Sequence, residues 1–506
     1  MIGHAGLAKL RRIRYEKRQV VRKRTRNPAI FGASSSMGNN RIAVVGAGIG
    51  GLATAYLLEN SADSPLDITV FEASHRVGGK IQTGHFKNVT HSYEIGAAEL
   101  YDIVASPALK KLVRQLQLPC VSLQGSPIIV FDGMILTDTA DVQDKLGSST
   151  AHAIESFMSL GKSLRNPASF GHAGFPTDNE HPWFTRTFAD VLSSIPDRRA
   201  RRYIQVQAHS DLATEPSHTN GVYGFDNLLI DDPEYCHLYS IVGGNERLPE
   251  ELHRRLASRV RLGSRVRRIT QTKHKRFLLD VIGQSGHMEE EFDVVILALP
   301  HQHLSSIHWA DRRVSRLMRL FVTHHAHPAH YLRVAAAFEH PFWRETFDES
   351  YFILDAFGGC CVYDESSRNP STPYGCLSWL IAGRNALSMH LLPDVVLTRR
   401  VLASLPGPLA KTARATLMEA RVHRWIGSVS GQPGGKPIKG LAERHQPEAS
   451  QLPGLFIVGD YLFDATINGA LESAGIVAQL ALQFLEVRER RVTSEHLTAS
   501  AHWHNA

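Results

Sequence analysis

Glycines at fixed spacing carry the first chemical signal, in Gly46-Ala47-Gly48-Ile49-Gly50-Gly51. A G-x-G-x-x-G turn between a strand and a helix brings backbone close to a phosphate. Gly46 permits the tight turn, Gly48 admits a pyrophosphate, and Gly51 lets helix and strand approach. The anion then meets the free N–H groups and positive dipole end of the helix. Glu72 stands 21 residues beyond Gly51. A carboxylate there accepts hydrogen bonds from an adenosine ribose and repels a 2′-phosphate. A turn without ligand is the competing reading, and strand, turn, helix and Glu72 together argue against it. The pattern fits NAD and FAD alike.

These residues need a frame. Residues 41–46 read as a short buried strand, 51–60 as a helix and 67–72 as a second strand. Residues 106–200 read as mainly helical, broken near 166–182. Residues 236–300 mix strands and helices and end in a buried-strand run at 292–299. Residues 331–338 and 374–382 read as strands of a second sheet, 454–459 as a further strand, and 468–485 as a helix. The tail beyond Arg490 is polar and expected to fray.

The chain has 506 residues, 43% hydrophobic and 21% charged, a globular composition. Its net charge of +7 is local: residues 1–36 hold ten Lys or Arg and one acid, leaving about −2 for the remainder. Such a block stays unstructured, binds an anionic partner, or serves as a transit segment. An unstructured tail, or translation from Met37, is preferred, so no nucleic acid is expected. The five cysteines form no C-x-x-C and read as reduced thiols, consistent with a cytoplasmic protein. No uninterrupted apolar run reaches bilayer length, so no transmembrane segment is expected. His324, His325, His327 and His330 lack a paired Cys or carboxylate at ligand spacing. They read as solvated loop histidines, and no metal is assigned.

The stretch Glu72-Ala73-Ser74-His75-Arg76-Val77-Gly78-Gly79-Lys80 resembles the E-A-x-x-R-x-G-G-[RK] signature of the flavin amine oxidase superfamily. That group includes monoamine, L-amino acid and protoporphyrinogen oxidases. Five further segments follow in the family's order. Glu94-Ile95-Gly96-Ala97-Ala98 resembles the segment beneath the flavin. Gly243-Gly244 with Leu248 resembles the return into the cofactor domain, and Val266 the adenine-contacting valine. Asp293 to Pro300 resembles a strand ending Ala-x-Pro. Gly459-Asp460 and the helix from Thr466-Ile467 resemble the last cofactor segment.

The resemblance implies an α/β fold: a Rossmann-like FAD-binding domain built from discontinuous segments, interleaved with an α+β substrate domain. FAD segments would span 41–114, 236–305 and 426–490, substrate segments 115–235 and 306–425. An extension at 1–40 and a tail at 491–506 would flank them. FAD would contact Gly46, Gly48, Gly51, Glu72, Ala73, Gly78, Gly79, Lys80, Gly96, Ala97, Val266, Asp460 and Ile467. Arg333, ten residues before Trp343, stands where amine-oxidising members carry a lysine that holds water near flavin N5. Arg333 stays protonated, so it can orient but not serve as a base. Pairing with a carboxylate is its competing reading.

Thr466 replaces a ring of the family's aromatic cage, and the opposite position, near Ser430 to Gly434, offers neither a ring nor a cysteine for a covalent link. Non-covalent FAD follows. Trp379 and Tyr374 are candidate cavity aromatics, with core packing as the alternative. The implied activity is oxidation of a C–N bond in an amine or amino acid. C–C dehydrogenation of the protoporphyrinogen or carotenoid type is the alternative, and a non-catalytic flavin-binding interaction protein a third. Partners would be a small organic substrate and O2 or another electron acceptor, with a homodimer as an option.

Overall fold

Strand Arg41–Val45 carries four buried residues in succession, which places it inside a sheet covered on both faces. In the computed structural model it pairs in parallel with Asp67–Phe71 and with Val294–Leu297. Arg259–Arg261 and Leu455–Ile457 extend the sheet in parallel at either edge. Three segments far apart in sequence thus build one five-stranded sheet. The structure describes residues 40–503 apart from 124, 126–127, 171–181, 285, 370 and 435–438. The basic segment lies outside the described residues.

Helix Ile49–Ser61 follows the first strand, and helix Ile467–Trp503 closes the chain. Leu52, Leu58, Ala474, Val477 and Leu485 share the core beside this sheet. Residues 467–490 are long and apolar enough to cross a bilayer, which the search for an uninterrupted apolar run passed over. Here their small and branched residues pack on the sheet. The expected frayed tail is helical through Trp503.

A second, seven-stranded sheet runs in the order Leu417–Ser430, Pro328–Phe338, Gly375–Ala382, Cys360–Asp364, Tyr351–Leu354, Ile129–Phe131, Met134–Leu136. Its last two strands fall within 106–200, which is mainly helical as read. They are three residues each, too short to show a period. Asp132 and Gly133, both with positive φ, form the tight turn between them. Cys120–Ser122 is likewise a strand, in a small sheet with Cys236–Ile241 and Leu100–Ile103. The long strand Leu417–Ser430 also escaped the sequence reading, because its residues are mostly half-buried and their alternation is weak.

The histidine run is not a solvated loop. His324 and His325 end helix Arg312–His325, and His330 lies in strand Pro328–Phe338. His325 is buried against Phe321, and burial holds its pKa down at about 3. Cys360 and Cys361 are buried, unlinked strand residues.

Candidate functional site

One cavity of about 630 Å³ runs from the glycine turn of the first sheet to the underside of the seven-stranded sheet. Its glycine-turn end is made mostly of backbone. A Cβ on Gly46, whose φ is +107°, would meet the Ala298 carbonyl oxygen at 2.3 Å. A Cβ on Gly51 would lie 2.0 Å from the Gly46 oxygen. Gly51 does not line the cavity; it lets helix Ile49–Ser61 sit against the turn. Gly48 is the N-cap of that helix and no side chain caps it, so the terminus is left for an anion. Gly48 also bridges Gly78, bringing the two glycine turns together.

Glu72 is fixed from both sides. Ala47 N–H donates to its Oε2 at 2.8 Å and Ser74 N–H to its Oε1 at 2.8 Å. Each oxygen keeps a lone pair for a ribose hydroxyl. Glu72, Ala73, Gly78, Gly79, Gly96, Ala97 and Val266 all line the cavity. Lys80 pairs with Asp460, tying the first segment to the last, and both line the cavity. Thr466 and Ile467 bring the start of the last helix to the wall, with the Thr466 hydroxyl accepting from Gly469 N–H at 3.1 Å. Side by side, an uncapped helix terminus, a close-approach turn and a fixed carboxylate fit a dinucleotide.

The other end is a chamber of side chains. Arg333 lines it, buried, with Nη1 donating to the Glu94 carbonyl at 2.8 Å and standing 3.6 Å from Glu365 Oε1. Trp379 does not line it, correcting the sequence expectation. Arg333 faces Leu380 across the strand pair, and Trp379 faces Val334. Alternation therefore turns Trp379 to the far face, where it packs in the apolar layer with Phe338 and Trp343. Tyr374 packs outside the cavity, against the Phe86 and Tyr93 cluster.

The chamber's acids and rings were missed. Glu99 and Asp211 line it, with Tyr101, Tyr223, Tyr331, Tyr363 and Trp425. Tyr101 and Tyr363 hydroxyls both donate to Glu99 Oε1 at 3.1 Å, while Oε2 is buried with no hydrogen-bond partner among the described residues. Burial raises the pKa of Glu99 and raises that of Asp211 well above the carboxylate range, with Glu99's charge adding to the Asp211 shift. Tyr331 was findable, lying two residues from Arg333 on one strand face. The others come from separate segments that no local pattern links. Chemically, the chamber offers acceptors and ring faces suited to a cation.

A family model described as flavin containing amine oxidoreductase matches residues 49–482. Prenylcysteine oxidase 1 of Mus musculus is 37% identical over 97 residues, 19% of this chain and 18% of that protein. Polyamine oxidase 1 of Oryza sativa subsp. japonica is 43% identical over 67 residues, 13% of each. The chain thus aligns with less than a fifth of these relatives' length. Among solved structures, putrescine oxidase with putrescine bound shares a TM-score of 0.67 at 20% identity, covering 89% of this chain and 99% of that one. Cyclohexylamine oxidase from Brevibacterium oxydans IH-35A gives 0.66 at 17%, covering 89% and 100%. At such identities the likeness is one of fold.

Proposed function

The chain belongs to the flavin-containing amine oxidoreductases, and on that premise we propose that it binds FAD non-covalently and oxidises a C–N bond of a cationic amine. The observation that carries the substrate side is the pairing of Glu99 and Asp211 with tyrosine rings in the cavity that also holds the dinucleotide cradle. FAD is favoured over a nicotinamide cofactor by the second glycine approach at Gly78-Gly79 and the 96–97 segment along the same wall. No cysteine lines the cavity among the described residues, so the lining offers no thiol for a cysteinyl flavin.

When bound, the flavin supplies a two-electron acceptor. The residues supply the rest. In their ionised form Glu99 and Asp211 attract the ammonium group and can accept its proton to leave a neutral amine, and burial, which raises both pKa values, delays that ionisation to higher pH. The tyrosine walls exclude water and orient the substrate carbon. An amino acid's carboxylate would face two acids, so a simple amine is the better substrate.

A second reading rests on Arg333, whose only hydrogen bond among the described residues goes to Glu94. Its spare donors suit a carboxylate-bearing C–C substrate such as a porphyrinogen. Anaerobic mixing of the purified flavoprotein with amines, amino acids and porphyrinogens separates the two. Bleaching of the flavin by amines, with an acceptor restoring its colour, is expected. Bleaching only by porphyrinogens would overturn the amine reading.

A further inference from the structure

The wall around Arg333 is an ion network that the amine reading leaves unused. Arg333 is 1% exposed, and its Nε has no partner among the described residues. Glu365, fully buried, is the nearest counter-charge, with Oε1 3.6 Å from Arg333 Nη1. Its Oε2 is already taken by Arg368 Nε at 2.9 Å and by Glu94 N–H at 3.3 Å. Arg368 is anchored in turn, donating to the Ala98 carbonyl and the Ser240 hydroxyl at 2.6 Å each. The Glu94 carboxylate is occupied elsewhere, by Asn245 N–H at 2.9 Å and the Thr83 hydroxyl. Oε1 of Glu365 therefore faces Arg333 as an ion-pair partner at 3.6 Å without a hydrogen bond, and Glu99, whose carboxylate also feels the Arg333 charge, lines the same chamber.

This matters because the same chamber is read as taking a cation. A bare guanidinium on its wall would repel an ammonium group strongly where dielectric screening is weak. A guanidinium held against a fixed carboxylate keeps its directed N–H donors and loses part of that repulsion. Glu365 lies on the short turn after strand Cys360–Asp364, while Glu94 and Ala98 belong to the segment along the cofactor cradle. The network therefore joins the sheet that roofs the chamber to the segment beneath the cofactor.

We propose that Glu365 is a positioning residue: it holds Arg333 at the cavity wall and offsets part of its charge, so that the arginine offers donors to flavin or substrate with less repulsion of a cationic amine. The inference rests on the flavin–amine reading above. It goes beyond that reading by assigning a task to a carboxylate that touches neither ligand.

The test compares E365Q, R333M and the double variant, each as flavin-loaded protein. Two quantities are read: the two-electron reduction potential of the flavin and the KM for a diamine such as putrescine. Glutamine keeps the shape and removes the charge. In E365Q the uncompensated arginine should favour flavin reduction about tenfold, about +30 mV for a two-electron couple. KM should rise about tenfold, with a smaller change in kcat. In the R333M background the same exchange should have at most a third of either effect. Equal effects in both backgrounds, or none in flavin-loaded E365Q, would overturn the proposal. Should E365Q not fold, E365D shortens the side chain and retains its charge. It should raise KM about threefold, and that rise should vanish in R333M; a rise that survives there counts against the proposal. A wild-type protein without flavin would instead defeat the underlying functional reading.

Discussion

The two ends of the cavity are built from different materials. The glycine-turn end is backbone: glycines at Gly46, Gly48, Gly78 and Gly79, a bare helix terminus, and Glu72 held by two amides. The chamber end is side chain: Glu99, Asp211 and tyrosines contributed by four separate segments. Backbone chemistry depends on local spacing and suits one fixed ligand. Side-chain chemistry depends on how distant segments meet and can be retuned residue by residue. The difference predicts that damage to the first end abolishes cofactor binding, whereas damage to the second changes selectivity and leaves the cofactor bound.

The largest effect should come from Gly51→Val. Its Cβ would overlap the Gly46 oxygen, so helix and turn must separate. A loss of about 3 kcal/mol in denaturant melts and of most bound flavin is expected. Retained flavin would break the claim that close approach makes the cradle. Glu72→Ala removes a charged acceptor from two amides, and flavin affinity measured by titration should fall roughly ten- to a hundredfold. Fold and chamber should be untouched.

At the other end, Asp211→Asn or Glu99→Gln should each raise KM for a cationic amine about tenfold, or about 1.4 kcal/mol, with flavin affinity held within about twofold. The pH dependence follows from the direction of the shifts. Both acids have raised pKa values, so they lose their charge earlier as pH falls. Attraction for an ammonium group should strengthen as pH rises through those values and be absent below them. A pH profile of kcat/KM should show this limb, and D211N should flatten it. An unchanged profile would remove the acid pair from substrate recognition. Trp379→Phe should change activity least, since Trp379 lies on the far face of the sheet. A stability loss of roughly 1 to 2 kcal/mol with unaltered KM is expected, and a changed KM would contradict its place outside the chamber.

The same contrast explains what the sequence made legible. Gly46 to Gly51, Glu72 and the Gly78-Gly79 turn are consecutive or one structural unit apart, so their geometry follows from spacing. Four of the five parallel strands were readable because buried strands are continuous apolar runs, as at Val294–Leu297, whereas the edge strand Arg259–Arg261 is charged and half-exposed. Ile129–Phe131 and Met134–Leu136 were not, because three residues carry no period, although Asp132-Gly133 marked the turn. The acid pair was invisible for another reason. Glu99 precedes strand Leu100–Ile103 and Asp211 sits near the end of helix Arg198–Leu212. Only the tertiary fold brings both to one chamber with Tyr331 and Tyr363. Arg333 stood out through its motif, but its approach to within 3.6 Å of Glu365 required the structure. Trp379 failed because the sequence offered it as an aromatic candidate while the pleat assigns faces, and Leu380 holds the inward one.

The most direct test is an anaerobic titration of the flavin-loaded protein with a diamine and with an amino acid of the same carbon chain length. The account predicts that the diamine bleaches the flavin at roughly tenfold lower concentration or better, an advantage lost in the Asp211→Asn variant. An amino acid that bleaches it as readily, or a diamine preference that survives Asp211→Asn and Glu99→Gln together, would contradict the claim that the chamber selects a cation.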